Sequence, residues 1–512
     1  MGRHCIIWSS IVGMLLSVSN SFAYRTVWYV HPDSALNCIQ AGIDSCSTGD
    51  IVLVAPGTYF ENINFRGKAI TVTSELGPGS TIIDGSTPAH PDTGCVVFFV
   101  SGEDTISVLH GFTITNGTGL VIPPYGSAGG GISCYENSSP TITGNIITEN
   151  TAVYGGGIDL FIDCSPAIIG NTISGNTSDS SAGGIVIHDN CSPLISDNIF
   201  TENTGYDGGG INCGDTSSAT IINNTITNNN SRWGGGIVSN WSSPLINNNT
   251  ITNNTAVYAG GIDCYGSPSP TIINNTITGN NALYGGGIDC ENDASPIITG
   301  NAIDSNTAAY GAGIRCWSNS DPSINECSIS RNIGDGVYIG QISEPVLHHN
   351  NIVNNTGYGV RNLYPLIIVD AENNWWGDTT GPYHPDSNPG GLGNQVSNFV
   401  DFTPWLMEPG IEENGPSANV IIALQIIPNP FCHFTDIRYQ LTDDCGDVAL
   451  DVYDITGRKV KALLKQQSVT EYRSSVRWDG RDQHNRQLSS GVYFLHFRAG
   501  GYTTTEKILL IR

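Results

Sequence analysis

Three copies of one short motif carry the residue types in this sequence that most often do chemistry. The stretch YGGGIDC covers Tyr284 to Cys290, and close copies cover Tyr154 to Leu160 and Tyr258 to Cys264. Glycines followed by an aspartate suit four roles: a phosphate cradle, a calcium-binding turn, a catalytic carboxylate on a loop, or a corner of a repetitive scaffold. The residues around the copies and their spacing distinguish these roles.

The residues after the glycines exclude the phosphate interpretation, and the spacing of the copies excludes the calcium-turn interpretation. A phosphate cradle needs the start of a helix behind the glycines, so that backbone N–H groups and the helix dipole face the anion. Each copy instead leads into an alternating, strand-like segment. Calcium rolls repeat a short glycine and aspartate motif in tandem, whereas the last two copies here lie 26 residues apart.

The aspartates of the motif belong to a column that predicts either catalysis or ion pairing. The column comes directly after each inward Ile or Val and contains Ser133, Asp159, Val186, Asn212, Val238, Asp263, Asp289 and Arg315. If the repeats stack in register, Asp263 and Asp289 lie about 5 Å apart, where like charges raise a pKa or recruit a cation. Carboxylates at that separation can hydrolyse a glycosidic bond, so we predict Asp263, Asp289 and Arg315 as catalytic residues. The alternative is an Asp289–Arg315 ion pair, with Asp263 facing water.

Aromatic residues form a second column, four residues before the inward Ile or Val. Its members are Tyr154, Trp233, Tyr258, Tyr284 and Tyr310. Rings at a repeated spacing can stack on the faces of a linear glycan, while a carboxylate such as Asp159 accepts hydrogen bonds from sugar hydroxyls. These five rings and Asp159 are the predicted glycan-binding residues. A ring ladder that stacks on itself and covers a corner of the scaffold is the alternative.

A repeat of 23 to 27 residues must position both columns. The inward Ile or Val recurs at 132, 158, 185, 211, 237, 262, 288, 314, 337 and 360, and two Asn columns keep the same period. Each unit reads as three short β-strands separated by Gly, Ser-Pro and Asn-Asn turns. One unit cannot bury its apolar face alone, so stacked units must share a continuous core. The pattern predicts a parallel β-helix; the LxxLxLxxN signature of leucine-rich repeats, which share this period, is absent.

The polar Asn columns and the cysteines predict structural roles. Stacked Asn side chains can satisfy one another and the backbone of the bends. One inward column is expected to pack as small apolar side chains, and it contains Cys134, Cys213, Cys264, Cys290 and Cys316. The candidate disulfides are Cys38–Cys46, Cys432–Cys445, Cys264–Cys290 and Cys290–Cys316.

The N-terminus and the charge predict an exported, acidic protein. Residues 1–23 combine a basic start, an apolar run and small residues before a cleavage point, which is typical of a signal peptide. No later apolar run reaches the length of a transmembrane helix. The net charge is −26, and no Lys or Arg lies between Lys68 and Arg232. Such a surface repels phosphate backbones, so nucleic acid is excluded as a partner, while calcium and neutral glycans are compatible.

The repeat ends before the C-terminal segment, which predicts a second, smaller domain. Residues 407–418 are rich in Pro, Gly and Glu and read as a linker. Residues 419–512 alternate like antiparallel strands joined by turns. The predicted class is therefore all-β, with a β-helix at 24–406 followed by a small antiparallel β-sandwich.

Motifs at both ends of the repeat region carry a family resemblance. GDIVLVAPGTYFENINF and LHGFTITNG are similar to an N-terminal cap and first coils, and NNWWGDTTGPYHPDS to a terminal segment, of exported right-handed parallel β-helix proteins of the pectin-lyase-like superfamily. The resemblance implies a right-handed solenoid. Polysaccharide lyases of this fold use a basic residue to abstract a proton beside a carboxylate of the substrate, and in many families calcium assists. The RIK and GHG patterns of the polygalacturonase relatives are absent, and no cofactor is evident apart from the calcium option.

The tail carries a second resemblance. PNPF, VYDITGRKV, VRWDGRD and SSGVYF are similar to the C-terminal sorting domain of type IX secretion cargo and to the flagellar hook-assembly-type immunoglobulin-like domain. The resemblance implies passage across an outer membrane by the type IX secretion machinery, followed by release or surface attachment. A stalk module with no sorting role is the alternative.

These observations predict a secreted or cell-surface β-helix protein that binds polysaccharide or matrix glycans. A polysaccharide lyase or glycoside hydrolase acting through the carboxylate column is one alternative. A purely structural adhesion protein is the other.

Overall fold

The computed structural model describes most of the chain. The described residues are 25–88, 93–122, 126–267, 269–409, 423–427, 431, 434–440, 447–454, 458–468, 473–483, 485–488, 491–499 and 502–510. The predicted signal peptide, Cys432 and Cys445 lie outside these residues, as does most of the predicted linker. The chain divides into two compact units between Glu412 and Glu413, and each unit has its own hydrophobic core.

The first unit is a β-solenoid of three parallel sheets. In spatial order, the first sheet contains Val27–Val30, Ile51–Val54, Thr71–Ser74, Val108–His110, Thr141–Thr143, Ala167–Ile169, Leu194–Ser196, Thr220–Ile222, Leu245–Asn247, Thr271–Ile273, Ile297–Thr299, Ser323–Asn325, Val346–His348, Val369–Asp370 and Val400–Asp401. The second contains Gly57–Phe60, Thr81–Asp84, Thr113–Thr115, Ile146–Thr148, Thr172–Ser174, Ile199–Thr201, Thr225–Thr227, Thr250–Thr252, Thr276–Thr278, Ala302–Asp304, Ser328–Ser330 and Asn351–Val353. The third contains Ile63–Asn64, Val97–Phe99, Ile132–Tyr135, Ile158–Phe161, Ile185–Ile187, Ile211–Gly214, Ile237–Asn240, Ile262–Tyr265, Ile288–Glu291, Ile314–Trp317, Val337–Ile339 and Val360–Asn362.

One helix and several short strands lie outside the three main sheets. The helix Ile39–Ser45 lies near the N-terminal end of the solenoid. An antiparallel insert joins Thr93–Gly94, Gly119–Ile122 and Gly126–Ala128. Two small parallel sheets lie at the glycine corner, Thr151–Ala152 with Thr177–Ser178 and Asn281–Tyr284 with Thr307–Tyr310. Within the described residues, no helix is long and apolar enough to cross a membrane.

The core confirms the predicted alternation. Ile262, Ile288 and Ile314 stack in register on the third sheet, as do the cysteines two positions later in each strand. These side chains are fully buried in one continuous cluster that runs from Val30 to Phe402. Period-two alternation turns one face of every strand inward, and stacking of the coils removes that face from water.

Both Asn columns form buried hydrogen-bonded ladders. Asn280 Nδ2 donates to the carbonyl of Ile251 at 2.9 Å and to Asn306 Oδ1 at 3.0 Å, while Asn280 Oδ1 accepts from the backbone N–H of Asn254 at 3.0 Å. The positive φ of each bend falls on the residue before the column, as at Asn253 with φ 54°. The amides therefore supply bend carbonyls and N–H groups with partners that water cannot reach.

Replacing Asn280 with Ala is expected to lower the free energy of unfolding by about 1–3 kcal/mol, because buried groups of Ile251 and Asn254 lose their partners. Asn281→Ala is the matched control, since Asn281 is exposed, and is expected to stay within about 0.5 kcal/mol. Urea unfolding followed by circular dichroism measures both. Equal effects of the two substitutions would contradict a structural role for the column.

The glycine motif lies at the corner before the third sheet. A Cβ added at Gly286 would lie 2.4 Å from the carbonyl oxygen of Ala312 in the next coil. Gly285 has φ +60°, and a Cβ there would lie 2.6 Å from Asp289 Cβ. The glycines thus allow the corner to fold against its own strand and against the next coil.

The cysteines of the described residues are free thiols. The candidate disulfide Cys38–Cys46 is wrong, because the two residues flank the helix Ile39–Ser45 and are separated by its length of about 12 Å. Cys38 Sγ donates instead to Glu61 Oε2 at 3.0 Å. Cys264, Cys290 and Cys316 lie in register on adjacent coils without a disulfide.

The second unit is a small antiparallel β-sandwich. One sheet joins Ala423–Ile427, Thr435–Gln440 and Arg473–Trp478, and the other joins Lys459–Ser468, Asp447–Asp454, Gly491–Ala499 and Tyr502–Leu510. Side chains of both sheets share one core, with Ile437 and Trp478 from the first and Leu450, Leu495 and Phe497 from the second. The predicted sandwich is confirmed.

Candidate functional site

The predicted catalytic residues meet on adjacent coils of the third sheet but are buried. Asp263 pairs in register with Asp289, and Asp289 with Arg315. Asp289 is 0% exposed and Asp263 2%. Arg315 Nε donates to Asp289 Oδ1 at 2.7 Å, and its Nη2 donates to Glu291 Oε2 at 2.5 Å. The side chains leave the coil outward as expected, yet the backbone of Gly285 and the Arg315 guanidinium cover Asp289.

Burial dominates the protonation of this cluster. It raises the pKa of Asp289 from 3.8 to about 6, although Arg315 opposes the shift. It also raises the pKa of Asp263 well above 3.8, and the charges of Asp289 and Glu291 raise it further. The Asp289–Arg315 ion pair given as the alternative is confirmed, whereas the expectation that Asp263 faces water is wrong, because Asp263 is buried. A catalytic role for these two residues and Arg315 stays a prediction, and the geometry is that of a buried Asp289–Arg315 ion pair beside a second buried carboxyl group.

Four of the predicted glycan-binding rings form a stacked ladder above this cluster. The ring centroids are 3.9 Å apart for Trp233 and Tyr258, 5.0 Å for Tyr258 and Tyr284, and 5.1 Å for Tyr284 and Tyr310, with interplanar angles of 8–13°. The Arg315 guanidinium lies 4.9 Å from the centre of the Tyr284 ring. Both faces of Tyr258 and Tyr284 are therefore covered by neighbouring rings, while Trp233 and Tyr310 at the ends each have one face covered within the ladder.

Tyr154 stands apart from this ladder for a reason that the sequence contains. The positions four residues before Ile132 and Ile185, on the coils either side, hold Ala128 and Ser181. Small residues there leave the faces of the Tyr154 ring without aromatic neighbours in its column. A pocket of about 320 Å³ opens beside it.

We call this cavity the acid pocket. Its lining comprises Gly126, Ala128, Tyr154, Asp159, Phe161, His188, Asp189 and Asp215. The predictions named Tyr154 and Asp159 but missed Phe161, His188, Asp189 and Asp215. A detectable signal existed: Phe161 and His188 come directly after the inward Leu160 and Ile187 of consecutive coils, so Phe161 ends one strand of the third sheet and His188 directly follows the next.

Asp159 is the most unusual group in the acid pocket. It is 2% exposed, and among the described residues its carboxyl group makes no hydrogen bond or ion pair. Burial raises its pKa from 3.8 to about 7, against the lowering effect of His188 and with a further rise from Asp189. His188 Nδ1 lies 3.5 Å from Asp215 Oδ2, and the rings of Tyr154 and Phe161 both meet the His188 ring edge to face.

A second cavity of about 570 Å³ adjoins the acid pocket toward the N-terminal end of the solenoid. This cap pocket is lined by Gln40, Phe60, Glu61, Asn62, Asn64, Arg66, Thr87, Thr93, Phe98, Val100, Leu120 and Tyr135. Tyr135 stacks on Phe161 with a centroid distance of 5.5 Å. The antiparallel insert contributes Leu120 to the cap pocket and its pairing partner Ala128 to the acid pocket. The linings of the two cavities therefore contact each other at Tyr135–Phe161 and at Leu120–Ala128.

Metal ligands are not grouped in the described part of the chain. No three His, Cys, Asp or Glu side chains among those residues are arranged to hold a metal ion. Calcium binding stays a prediction for which the described residues offer no group of ligands.

Comparison with known families decides the identity of the first unit. The family model for the right-handed beta-helix region matches residues 77–256 and 209–364, which together span more than half of the chain. The chain belongs to the right-handed beta-helix family. The model of the secretion-system C-terminal sorting domain matches residues 425–511 of this β-helix protein. That domain marks export to the cell surface or beyond through type IX secretion, as the tail motifs predicted.

Solved structures add only distant likenesses to the β-helix protein. Dimeric latent PorU from Porphyromonas gingivalis is 21% identical over 21% of this chain and 10% of its own, with a TM-score of 0.16. The enzymatically active domain of tailspike protein 4 from bacteriophage CBA120 is 12% identical over 92% of this chain and 64% of its own, also with a TM-score of 0.16. The β-helix protein thus spans under two thirds of either chain, and scores this low carry no argument about its site. None of the curated proteins compared with it matches.

Proposed function

We propose that the exported β-helix protein binds an extended oligosaccharide in the groove formed by the acid pocket and the cap pocket. The observation that carries the proposal is the stacking of Tyr135, from the lining of the cap pocket, on Phe161, from the lining of the acid pocket. The groove crosses six successive strands of the third sheet, from Ile63–Asn64 to Ile211–Gly214. At about 4.8 Å per coil its length is roughly 24 Å, which suits several sugar units in a row.

The composition of the groove supports a sugar ligand. The half-buried ring of Tyr154 and the edges of the stacked Tyr135 and Phe161 rings offer apolar surface for sugar rings, while carboxylates and amides at the rim accept and donate hydrogen bonds to hydroxyls. The proposal keeps Tyr154 and Asp159 from the predicted set. It treats Trp233, Tyr258 and Tyr284 as scaffold, because one face of Trp233 and both faces of Tyr258 and Tyr284 are covered by neighbouring rings.

Phe161→Ala is expected to weaken glycan binding about tenfold, the equivalent of ~1.4 kcal/mol, because the apolar ring where the two cavity linings meet is lost and Tyr135 loses its stacking partner. A glycan array with the secreted full-length chain identifies the ligand, and titration calorimetry measures the affinity. Tyr310→Ala is the matched control, since this ring belongs to the stacked ladder and is expected to leave the affinity unchanged.

Two results would overturn the proposal. Unchanged binding by Phe161→Ala together with weak binding by Tyr310→Ala would move the site to the ladder. Release of reducing ends or unsaturated products from the bound glycan would make the protein an enzyme rather than a binding protein.

A further inference from the structure

The acid pocket contains three carboxyl groups, and the one basic side chain in its described lining is His188, which lies 3.5 Å from Asp215. Asp159, Asp189 and Asp215 line it, and within the described residues its lining includes no Lys or Arg. The sequence has no Lys or Arg from residue 69 to residue 231, so the coils around the pocket cannot supply one. A pocket of this charge disfavours sugars that carry carboxylate or sulfate groups.

The Asp159 carboxyl group gives independent evidence that the acid pocket binds a cation. This group lines the cavity, is buried, and has no hydrogen-bond partner among the described residues. A buried carboxyl group without a partner must hold a proton or receive a cation. The neighbouring rings of Tyr154 and Phe161 present π faces and edges to the same space, and such rings attract organic cations rather than hydrated metal ions.

We propose that the acid pocket binds a protonated amino group, and that the oligosaccharide recognised by this protein carries a free amino sugar at this position. This inference rests on the proposed function and specifies its ligand class. Asp159 forms the central ion pair with the ammonium group, Asp189 and Asp215 add long-range attraction, and the two rings enclose the charged sugar.

The protonation of Asp159 makes the binding dependent on pH. Its pKa is raised to about 7, so the carboxyl group is mostly neutral at pH 6 and mostly charged at pH 8. The titratable groups that face it are His188 and Asp189 from the next coil, Asp215 one coil further, and Tyr154 from its own corner.

The test compares three probes on the secreted full-length chain by titration calorimetry. They are a β-1,4-linked glucosamine tetramer, its N-acetylated form, and its N-trimethylated form, whose charge does not titrate. We expect the glucosamine and trimethylated tetramers to bind about tenfold more tightly than the acetylated one, as a charge-assisted contact predicts. The trimethylated probe is expected to bind about tenfold more tightly at pH 8 than at pH 6, since the charged fraction of Asp159 changes by that factor.

Two variants separate recognition from folding. Asp159→Asn is expected to abolish the preference for the charged tetramers, and thermal unfolding checks that it folds. Asp215→Asn, whose parent side chain is 63% exposed, is expected to fold normally and to weaken the charged probes about threefold. Equal binding of the acetylated and charged tetramers would overturn this inference and leave the proposed function standing. Tight binding of polygalacturonate with no binding of the charged tetramers would likewise overturn it, and absence of any glycan binding would overturn both.

Discussion

Removal of residues 419–512 is expected to abolish delivery of the protein to the cell surface or the medium. The sorting-domain match covers 425–511, which is nearly the whole deleted segment. The deletion is expected to leave the solenoid intact, because among the described residues the core of the first unit ends at Phe402, with Trp405 packed against it. The truncated protein is therefore expected to fold and to accumulate inside the cell.

Cell fractionation and immunoblotting measure this result, and circular dichroism of the retained protein checks that it is folded. The reciprocal experiment fuses residues 419–512 to an unrelated protein carrying its own signal peptide, and that fusion is expected to reach the surface. Unchanged export of the truncated chain would reject the sorting role and favour a stalk module.

Arg315→Ala is expected to lower the free energy of unfolding by about 3–5 kcal/mol at pH 8, because it leaves the buried Asp289 carboxylate without its partner. The pair is almost fully buried, with 4% and 0% of the two side chains exposed. Asp289 Oδ2 already lacks a hydrogen-bond partner among the described residues, so little remains to compensate the charge. Packing of the guanidinium against the Tyr284 ring is lost as well.

The pH dependence of this effect has a definite sign. The pKa of Asp289 in the folded protein, about 6, lies above its ordinary value of 3.8. The carboxyl group therefore favours the folded state most below pH 3.8, and this contribution is lost as the pH rises through 6. Without Arg315 the pKa rises further, so the deficit of the variant is expected to be larger at pH 8 than at pH 5.

The matched control is Arg331→Ala, since the Arg331–Asp304 pair lies on the surface with 61% of the arginine side chain exposed. Arg331→Ala is expected to lower the free energy of unfolding by about 0–1 kcal/mol, because solvent screens the attraction between exposed charges. Thermal and denaturant unfolding at both pH values measure the two variants. Equal losses, or a loss for Arg315→Ala that does not change with pH, would contradict the buried-pair interpretation.

The repeat could be predicted from the sequence because each coil shows the same pattern within 23 to 27 residues, and successive coils repeat it. Each coil places Ile, Cys and Asn at fixed positions, and the same physical requirement of a buried inward face recurs in every unit. The three sheets, the inward Ile and Cys columns and the Asn ladders all result from this period. The tail could be predicted for a related reason, since alternating strands and turn residues define a small sandwich locally.

The candidate site could be predicted only in part. Asp159 and Tyr154 were named from columns that also contain the scaffold residues Asp289 and Tyr284, and the columns do not distinguish them. Ala128 and Ser181, on the coils either side, make the difference, because they leave a space where other coils place a ring. A small residue in place of a ring is hard to notice in a sequence. In the folded protein the same replacement opens a cavity.

The sequence by itself determined the period, the direction in which each side chain leaves its strand, the excess of acidic residues and the sorting tail. Only the tertiary structure decided which outward side chains reach solvent. Alternation fixes the direction of Asp289 relative to its own coil, but its burial depends on Arg315 from the next coil and on the corner backbone at Gly285. Solvent access is a property of all neighbouring coils together, whereas alternation is a property of one strand. Asp159 and Asp289 therefore share a motif and a strand position. Asp159 nevertheless lines a pocket, whereas Asp289 forms a buried ion pair with Arg315.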